Sequence, residues 1–192
     1  SQRLENTGYD PLPDYRAPGY AEPDAEFDLV LLTGIRSMAY HHSRFRNHAW
    51  ARKVQDAPEL RIHPRTAGRL GVGDDEWVWL RTRGGAGRTL LQAWVTEDVP
   101  PDVVATGMGW WYPEVPGADH GALTFNVDAA ISYGPPWDPI SGSPEARNTA
   151  CSIGRADPAE LAKFGFDFMR RTSDARQSVE KMQEKELEPT KT

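Results

Sequence analysis

The sequence has very little cysteine and no long apolar run, and both absences narrow its class. Cys151 is the single cysteine among 192 residues. It excludes an internal disulfide framework and any zinc or iron–sulfur site built only from cysteines of this chain. No apolar run approaches the ~20 residues that a membrane-spanning helix needs. The chain begins at Ser1 without a charged and apolar leader, so no targeting segment is predicted and the compartment stays open.

Net positive charge is also absent. The formal charge of -6 argues against a general nucleic-acid binder. Between Arg36 and Arg69, however, there are eight Arg or Lys and two acids, which leaves 14 bases against 26 acids in the rest of the chain. Four of the five histidines lie in the same stretch. This basic island indicates either a local anionic ligand or a solvated face with ion pairs to the acidic remainder, and charge alone favours the second interpretation.

Composition divides the chain into three regions. Residues 1–26 are rich in Pro, Gly, Asp and Tyr and lack periodicity, which predicts an extended arm. Residues 27–156 contain short apolar strands with only short helices between them, a pattern typical of a closed β-barrel. Residues 157–192 open with the helix-start signal of Asp157 and Pro158, which predicts a C-terminal helix followed by a solvated or disordered tail. The predicted fold class is mainly β with short helices.

Several elements can be placed within the barrel region. Strands are predicted at Phe27–Thr33, Leu60–His63, Glu76–Thr82, Arg88–Thr96, Val103–Thr106 and Ala150–Gly154. A short helix is predicted within Arg44–Lys53, and another from Pro64 to a C-terminal cap at Gly71. Residues 107–148 hold many Gly and Pro together with three tryptophans, which predicts a long irregular segment of functional importance.

Three segments, read in order, carry a family resemblance. The first is Leu-Leu-Thr-Gly-Ile-Arg ending at Arg36, followed by Tyr-His-His-Ser ending at Ser43 and by Arg46; the second runs from Arg-Ile-His-Pro, ending at Pro64, to Trp77; the third is Gly-Trp-Trp-Tyr-Pro-Glu, ending at Glu114. Together they resemble the C-terminal domain of molybdenum or tungsten enzymes of the dimethyl sulfoxide reductase superfamily. The similarity is greatest to the acetylene hydratase and thiosulfate or polysulfide reductase branch.

The resemblance implies a double-psi β-barrel over residues 27–156 that holds a bis-(molybdopterin guanine dinucleotide) cofactor with Mo or W. It also implies that other domains of the same catalytic subunit supply the metal ligand, any iron–sulfur cluster and most contacts to the second pterin. An iron–sulfur electron-transfer subunit is a further partner that the resemblance allows. No catalytic residue and no metal ligand are expected in this chain, which alone should be inactive. The alternative is a free-standing double-psi barrel that acts as a protein- or nucleic-acid-interaction module.

The first segment carries the strongest binding candidates. Thr33 and Gly34 end a buried strand, and the missing Cβ of Gly34 lets a ligand approach the backbone closely. Ile35 and Arg36 follow, and Arg36 is the expected charged partner of the pterin or its phosphates. Each has a structural alternative, since Gly34 also fits an ordinary strand end and Arg36 also fits a surface ion pair.

The histidine and tryptophan pairs complete the expected site. His41, His42 and Ser43 offer imidazole and hydroxyl groups, and we expect His42 to face the cofactor because adjacent side chains point in different directions. Trp110 and Trp111 are either core aromatics with satisfied indole N–H groups or a cover over the cofactor. The resemblance favours the second role for at least one of them.

Two further residues are assigned by the resemblance alone. Asn126 matches an asparagine that hydrogen-bonds the pterin, and Arg147 matches a basic position near the cofactor. The sequence departs from the family's frequent Asn-x-Asn pattern because residue 128 is an aspartate. A carboxylate repels phosphate, so we expect Asp128 to point away from the phosphates or to bind a ring N–H.

Overall fold

The computed structural model of the protein describes residues 2–6, 8–9, 12, 15, 22–135, 137–138, 141–144 and 146–164. Most of the arm predicted for residues 1–26, and the helix and tail predicted beyond residue 164, lie outside the described residues. The described start of the arm differs from the prediction, because Gln2–Glu5 form a helical turn, α1. These four residues precede the first proline and all have good helix propensity.

Six strands close into a barrel. They are β1 Leu29–Thr33, β2 Glu59–Ile62, β3 Trp77–Thr82, β4 Arg88–Val95, β5 Val103–Thr106 and β6 Asn148–Arg155. Their order around the barrel is β1-β5-β2-β4-β3-β6, with β6 returning to β1. β1 pairs with β5 and β2 with β4 in parallel, while the other neighbours are antiparallel. The predicted mainly-β barrel is confirmed, and this mixed pairing agrees with the double-psi arrangement.

The remaining helices are short, and all but the last lie between strands in the sequence. They are α2 Ala49–Val54, α3 Pro64–Leu70, α4 Ala122–Phe125 and α5 Pro158–Leu161, with 3-10 turns at Val127–Ala130 and Ala162–Phe164. α3 begins at Pro64 and ends at Gly71, whose φ of 65° is left-handed, as predicted. The helix predicted within 44–53 begins later because Phe45, with φ 70°, interrupts a helical path. α4 and the turn after it lie in the region that was predicted to be irregular.

Two apolar clusters explain why the strands are apolar on both faces. The inward side chains of the barrel form the first cluster, with Leu29, Leu31, Leu60, Val78, Leu80 and Val104 all fully buried. The second lies outside the barrel and is mainly aromatic, with Tyr40, Trp77, Trp110, Tyr112 and Phe125. β3 contributes Trp77 to the outer cluster and Val78 to the inner one. The outer cluster anchors the loops that follow β1 and β5 against the barrel wall.

The β3–β4 turn packs so closely on the 3-10 turn Val127–Ala130 that one glycine there has no room for a side chain. A Cβ on Gly85 would overlap the Ala130 carbonyl oxygen and lie 2.6 Å from Oγ1 of Thr82. A Cβ on Gly154 of β6 would have no atom within 4 Å, so Gly154 serves as the control. We expect Gly85→Ala to lower the free energy of unfolding by about 1–3 kcal/mol, and Gly154→Ala to be neutral or slightly stabilising. Urea denaturation measures both, and equal effects would contradict this packing.

Candidate functional site

A cavity of about 570 Å³ lies where the chain leaves β1 and β5. The two strands are parallel, and Thr33 pairs with Thr106 at their shared end. The segments that follow therefore start side by side, and the Gly34 N–H donates to the Thr106 carbonyl at 3.2 Å. The two segments together form one wall of the cavity. The segment after β1 contributes Gly34 to Tyr40, and the segment after β5 contributes Gly107, Met108 and Trp110. This meeting of loops at the carboxyl ends of strands is a usual location for a ligand.

Six of the eleven residues predicted to bind a ligand line this cavity. They are Gly34, Ile35, Arg36, His42, Trp110 and Arg147. The other five are Thr33, His41, Ser43, Trp111 and Asn126, which lie around the cavity rather than in its lining. Their binding roles stay predictions, and the structure gives most of them a clear part in holding the loops.

Thr33 and His41 support neighbours that do line the cavity. The buried Thr33 hydroxyl donates to the carbonyl of Ala146 at 2.7 Å, which ties the segment carrying Arg147 to the end of β1. The His41 ring packs edge-on against His42 with their centroids 4.6 Å apart. His42 has a φ of 54°, a backbone conformation that only a well-determined loop maintains in a residue with a side chain.

Ser43 and Trp111 connect the two loops. The indole Nε1 of Trp111 donates to the backbone carbonyl of Ser43 at 2.7 Å. Gly109, with φ 78°, allows the loops to approach because a Cβ there would lie 2.8 Å from the Ser43 nitrogen. The indole N–H of Trp111 therefore has its hydrogen-bond partner within the protein, which fits the first of the two roles considered for the tryptophan pair.

Asn126 uses its side chain to hold the same loop. Its Oδ1 accepts from the Gly109 N–H at 2.8 Å and from the Asp128 N–H at 3.4 Å. Its Nδ2 donates to the Asp128 carboxylate at 3.2 Å. The Asp128 carboxylate therefore faces Asn126, and its orientation relative to a bound phosphate stays a prediction.

Positive charge without a carboxylate partner is concentrated at the cavity. Arg36 and Arg147 are exposed lining residues, and neither has an ion pair within the described part of the chain. The Arg36 guanidinium lies 3.2 Å from Nε2 of His42. Elsewhere in the basic island, by contrast, Arg52 pairs with Glu114 and Arg69 with Asp28. Within the described residues, the basic island therefore contains arginines with a carboxylate partner and others, such as Arg36, without one.

Arg46 is a wall residue that was quoted in the sequence motif but was given no binding role. It is 5% exposed, and its guanidinium carbon lies 3.9 Å from the ring centroids of both Tyr40 and Trp110. Burial lowers the pKa of Arg46 to about 10, and the nearby Tyr40 hydroxyl offsets part of this effect. Burial likewise raises the pKa of Tyr40 to about 12. At neutral pH the arginine is therefore charged and the tyrosine neutral.

Two buried donors in the cavity wall lack an acceptor with hydrogen-bond geometry among the described residues. They are Nη1 of Arg46 and Nε1 of Trp110. Trp110 is 4% exposed in the aromatic cluster and also lines the cavity. Both nitrogens are buried, so they lie within the wall rather than on its surface.

The opposite wall was not predicted from the sequence. It comes from Trp50 and Val54 of α2, Glu59 and Arg61 of β2, and Trp94 of β4. Arg61 and Trp94 are register partners, and the guanidinium carbon lies 4.7 Å from the indole centroid. No short motif joins residues that are up to 44 positions apart in sequence, so only the barrel pairing reveals this wall.

The described residues contain no group of three or more His, Cys, Asp or Glu that could hold a metal ion. Within the same residues, none of the helices has the length and apolarity that crossing a membrane requires. The fold and the site thus define a closed β-barrel domain whose cavity is lined by arginines, backbone and aromatic side chains.

Comparison with known proteins defines that class further. The sequence model of the family described as "Molydopterin dinucleotide binding domain" matches residues 29–150. The match covers most of the barrel and both loops of the cavity, and the chain belongs to this family of molybdopterin dinucleotide-binding domains.

The relatives are much longer enzymes. The chain is 33% identical over 155 residues to dopamine dehydroxylase from Eggerthella lenta, which covers 76% of this chain and 15% of the relative. It is 32% identical over 158 residues to acetylene hydratase from Syntrophotalea acetylenica, and this alignment covers 77% of this chain and 21% of the relative. The solved structure of acetylene hydratase from Pelobacter acetylenicus superposes with a TM-score of 0.69 at 25% identity, over 80% of this chain and 22% of that one. The chain therefore spans about a fifth or less of the length of these relatives.

Asn126 should be important for stability whatever its role in binding. Asn126→Ala removes two acceptor contacts and leaves the partly buried Gly109 N–H without its partner, so we expect a loss of about 1–2 kcal/mol in the free energy of unfolding. Asn47→Ala is the matched control, because Asn47 is exposed and should stay within about 0.5 kcal/mol of the parent. Thermal denaturation compares the two, and similar melting temperatures would refute the structural role.

Proposed function

We propose that this chain is the C-terminal cofactor-binding domain of a larger molybdenum- or tungsten-dependent oxidoreductase and that it holds a bis-(molybdopterin guanine dinucleotide) cofactor. The observation that carries the proposal is the cavity at the ends of β1 and β5, where Arg36 and Arg147 have no carboxylate partner among the described residues. Membership of the molybdopterin dinucleotide-binding family supports the choice of ligand.

The residues of the cavity fit the chemistry of such a ligand. Phosphates favour guanidinium and backbone N–H groups, and Arg36 and Arg147 are exposed in the lining. The buried charge of Arg46 adds positive potential behind the wall, where the local dielectric screens it little. His42 and the loop at Gly34 supply groups that approach a planar heterocycle. The bound cofactor would supply the redox-active metal, while this chain binds and orients the organic part.

The rest of the reaction belongs to other parts of the enzyme in this proposal. The other domains of the catalytic subunit would provide the metal ligand and the iron–sulfur cluster, and a separate iron–sulfur subunit is a further candidate partner. The matches to this chain cover only 15% and 21% of two relatives, so those proteins are long enough to contain such domains. The chain alone would bind the cofactor without turnover.

The remaining domains have a plausible contact surface at the mouth of the cavity. Met38 is 83% exposed, Phe45 42% and Trp50 56%, and Met38 and Trp50 both line the cavity. The rings of Phe45 and Trp50 lie 6.3 Å apart, so the apolar surface is continuous there. Exposed apolar groups beside a ligand site fit a surface that other domains cover in the complete enzyme.

Substitution of the two exposed cavity arginines tests whether the domain binds this cofactor. We expect the double variant Arg36→Ala/Arg147→Ala to weaken binding of an oxidised, fluorescent molybdopterin guanine dinucleotide by roughly tenfold or more, because two charge-assisted contacts are lost. Fluorescence anisotropy at two salt concentrations measures the affinity, and the variant should also show less salt dependence.

Arg65→Ala is the matched control for this experiment. Arg65 belongs to the same basic island, is exposed and has no ion pair within the described residues, but it lies on α3 outside the cavity lining. Its variant should bind like the parent. If all three proteins bind equally, or if the parent binds only a protein partner, the cofactor-binding proposal fails and the interaction-module alternative gains support.

The gene provides a second test. The proposal expects the reading frame to continue upstream of the codon for Ser1 by several hundred codons that encode a metal-ligating residue and the other cofactor-binding domains. Sequencing the locus decides this point, and a start codon directly before Ser1 would contradict the proposal.

A further inference from the structure

We infer that Arg46 is the positioning residue that sets the ligand-facing geometry of His42 and Arg36. The buried guanidinium of Arg46 contacts three backbone carbonyls. Nη2 of Arg46 donates to the carbonyl of His42 at 3.0 Å and to that of Met108 at 3.4 Å, while Nε donates to the carbonyl of Gly109 at 3.4 Å. The three acceptors belong to the loops after β1 and after β5, so one side chain joins the two loops that form this wall of the cavity.

Two aromatic rings pack against the guanidinium. Its carbon lies 3.9 Å from the ring centroids of both Tyr40 and Trp110. The two rings meet edge-on with centroids 5.4 Å apart and planes 77° apart, so they form a corner around the cation. A planar cation that packs against rings and donates several hydrogen bonds in fixed directions is a role that arginine fills and lysine does not.

One of the carbonyls that Arg46 holds belongs to backbone in an unfavourable conformation. His42 has φ 54°, whereas Gly109 has φ 78°, which glycine adopts without strain. Left-handed backbone at a residue with a side chain costs free energy and persists only when its surroundings enforce it. The bond from Arg46 to the His42 carbonyl is the enforcing contact within the same loop.

The consequence for the site is the orientation of the His42 ring. The Arg36 guanidinium lies 3.2 Å from Nε2 of His42. A guanidinium can only donate, so Nε2 accepts and the neutral ring carries its proton on Nδ1. His42 then presents an N–H donor from Nδ1, and Arg36 is held at the edge of the cavity. Arg46 acts through these two residues, because its own nitrogen Nη1 is buried in the wall.

The inference is tested with Arg46→Lys, which keeps the charge but removes the planar fork. We expect the 15N chemical shifts of His42 to move from the Nδ1–H tautomer toward a mixture of the two tautomers, as seen in 15N-labelled chain by long-range 1H–15N correlation. Arg52→Lys is the matched control, since Arg52 also lies over an aromatic ring, at 5.6 Å from the Tyr112 centroid, but it pairs with the Glu114 carboxylate rather than with a carbonyl of the two loops. That variant should leave the His42 shifts unchanged.

A second measurement concerns the ligand and depends on the proposed function. We expect Arg46→Lys to weaken binding of the oxidised molybdopterin guanine dinucleotide by roughly tenfold, with Arg52→Lys unchanged. A shifted tautomer with no binding by the parent would uphold the positioning role and refute the proposed ligand. Unchanged His42 shifts in a folded Arg46→Lys protein would overturn the inference, even if its melting temperature falls.

Tyr40→Leu keeps the inference testable if Arg46→Lys does not fold. This substitution removes one of the two rings that pack against the Arg46 guanidinium and leaves Arg46 in place. We expect a smaller shift of the His42 tautomer in the same direction, because the guanidinium is then held less firmly. A folded Tyr40→Leu protein with parental His42 shifts would also overturn the inference.

Discussion

The parallel pairing of β1 with β5 is the constraint on which the rest of the site depends. Parallel strands end at the same edge of a sheet, so the loops that follow them start as neighbours even though 73 residues separate Thr33 from Thr106. The barrel closure fixes this pair between β6 and β2. A cavity with arginine, histidine and tryptophan from distant parts of the sequence exists because these two loops meet.

The aromatic cluster outside the barrel converts that proximity into a defined shape. Its rings contact one another edge-on along a path from Tyr40 through Trp110 and Tyr112 to Phe125, with centroid distances of 4.9–5.7 Å. Such packing buries large apolar surface and also orients the rings. Arg46 enters this cluster as a charged member, and its backbone contacts tie the cluster to both loops. Stability and ligand geometry therefore share the same residues.

Local signals in the sequence were sufficient for the elements and for part of the site. The helix from Pro64 to Gly71 follows from cap chemistry, and the two-sided apolar character of β3 correctly indicated burial on both faces. Six predicted ligand residues line one cavity because contiguous motifs carry them. Trp94 and Arg61 could not be predicted in the same way, since they meet only through the register of β2 with β4. The left-handed Phe45 likewise displaced the start of α2 without a sequence signal.

The sequence by itself determined the mainly-β class, the family resemblance and the concentration of positive charge between Arg36 and Arg69. These properties depend on residue type and local order, which the sequence states directly. Only the tertiary structure decided which arginines pair with carboxylates, because ion pairs such as Arg61 with Asp98 form between distant segments. It also decided that Asn126 holds the Gly109 loop and that Arg46 is buried between two rings. Hydrogen bonds and burial depend on spatial neighbours, and barrel closure selects those neighbours.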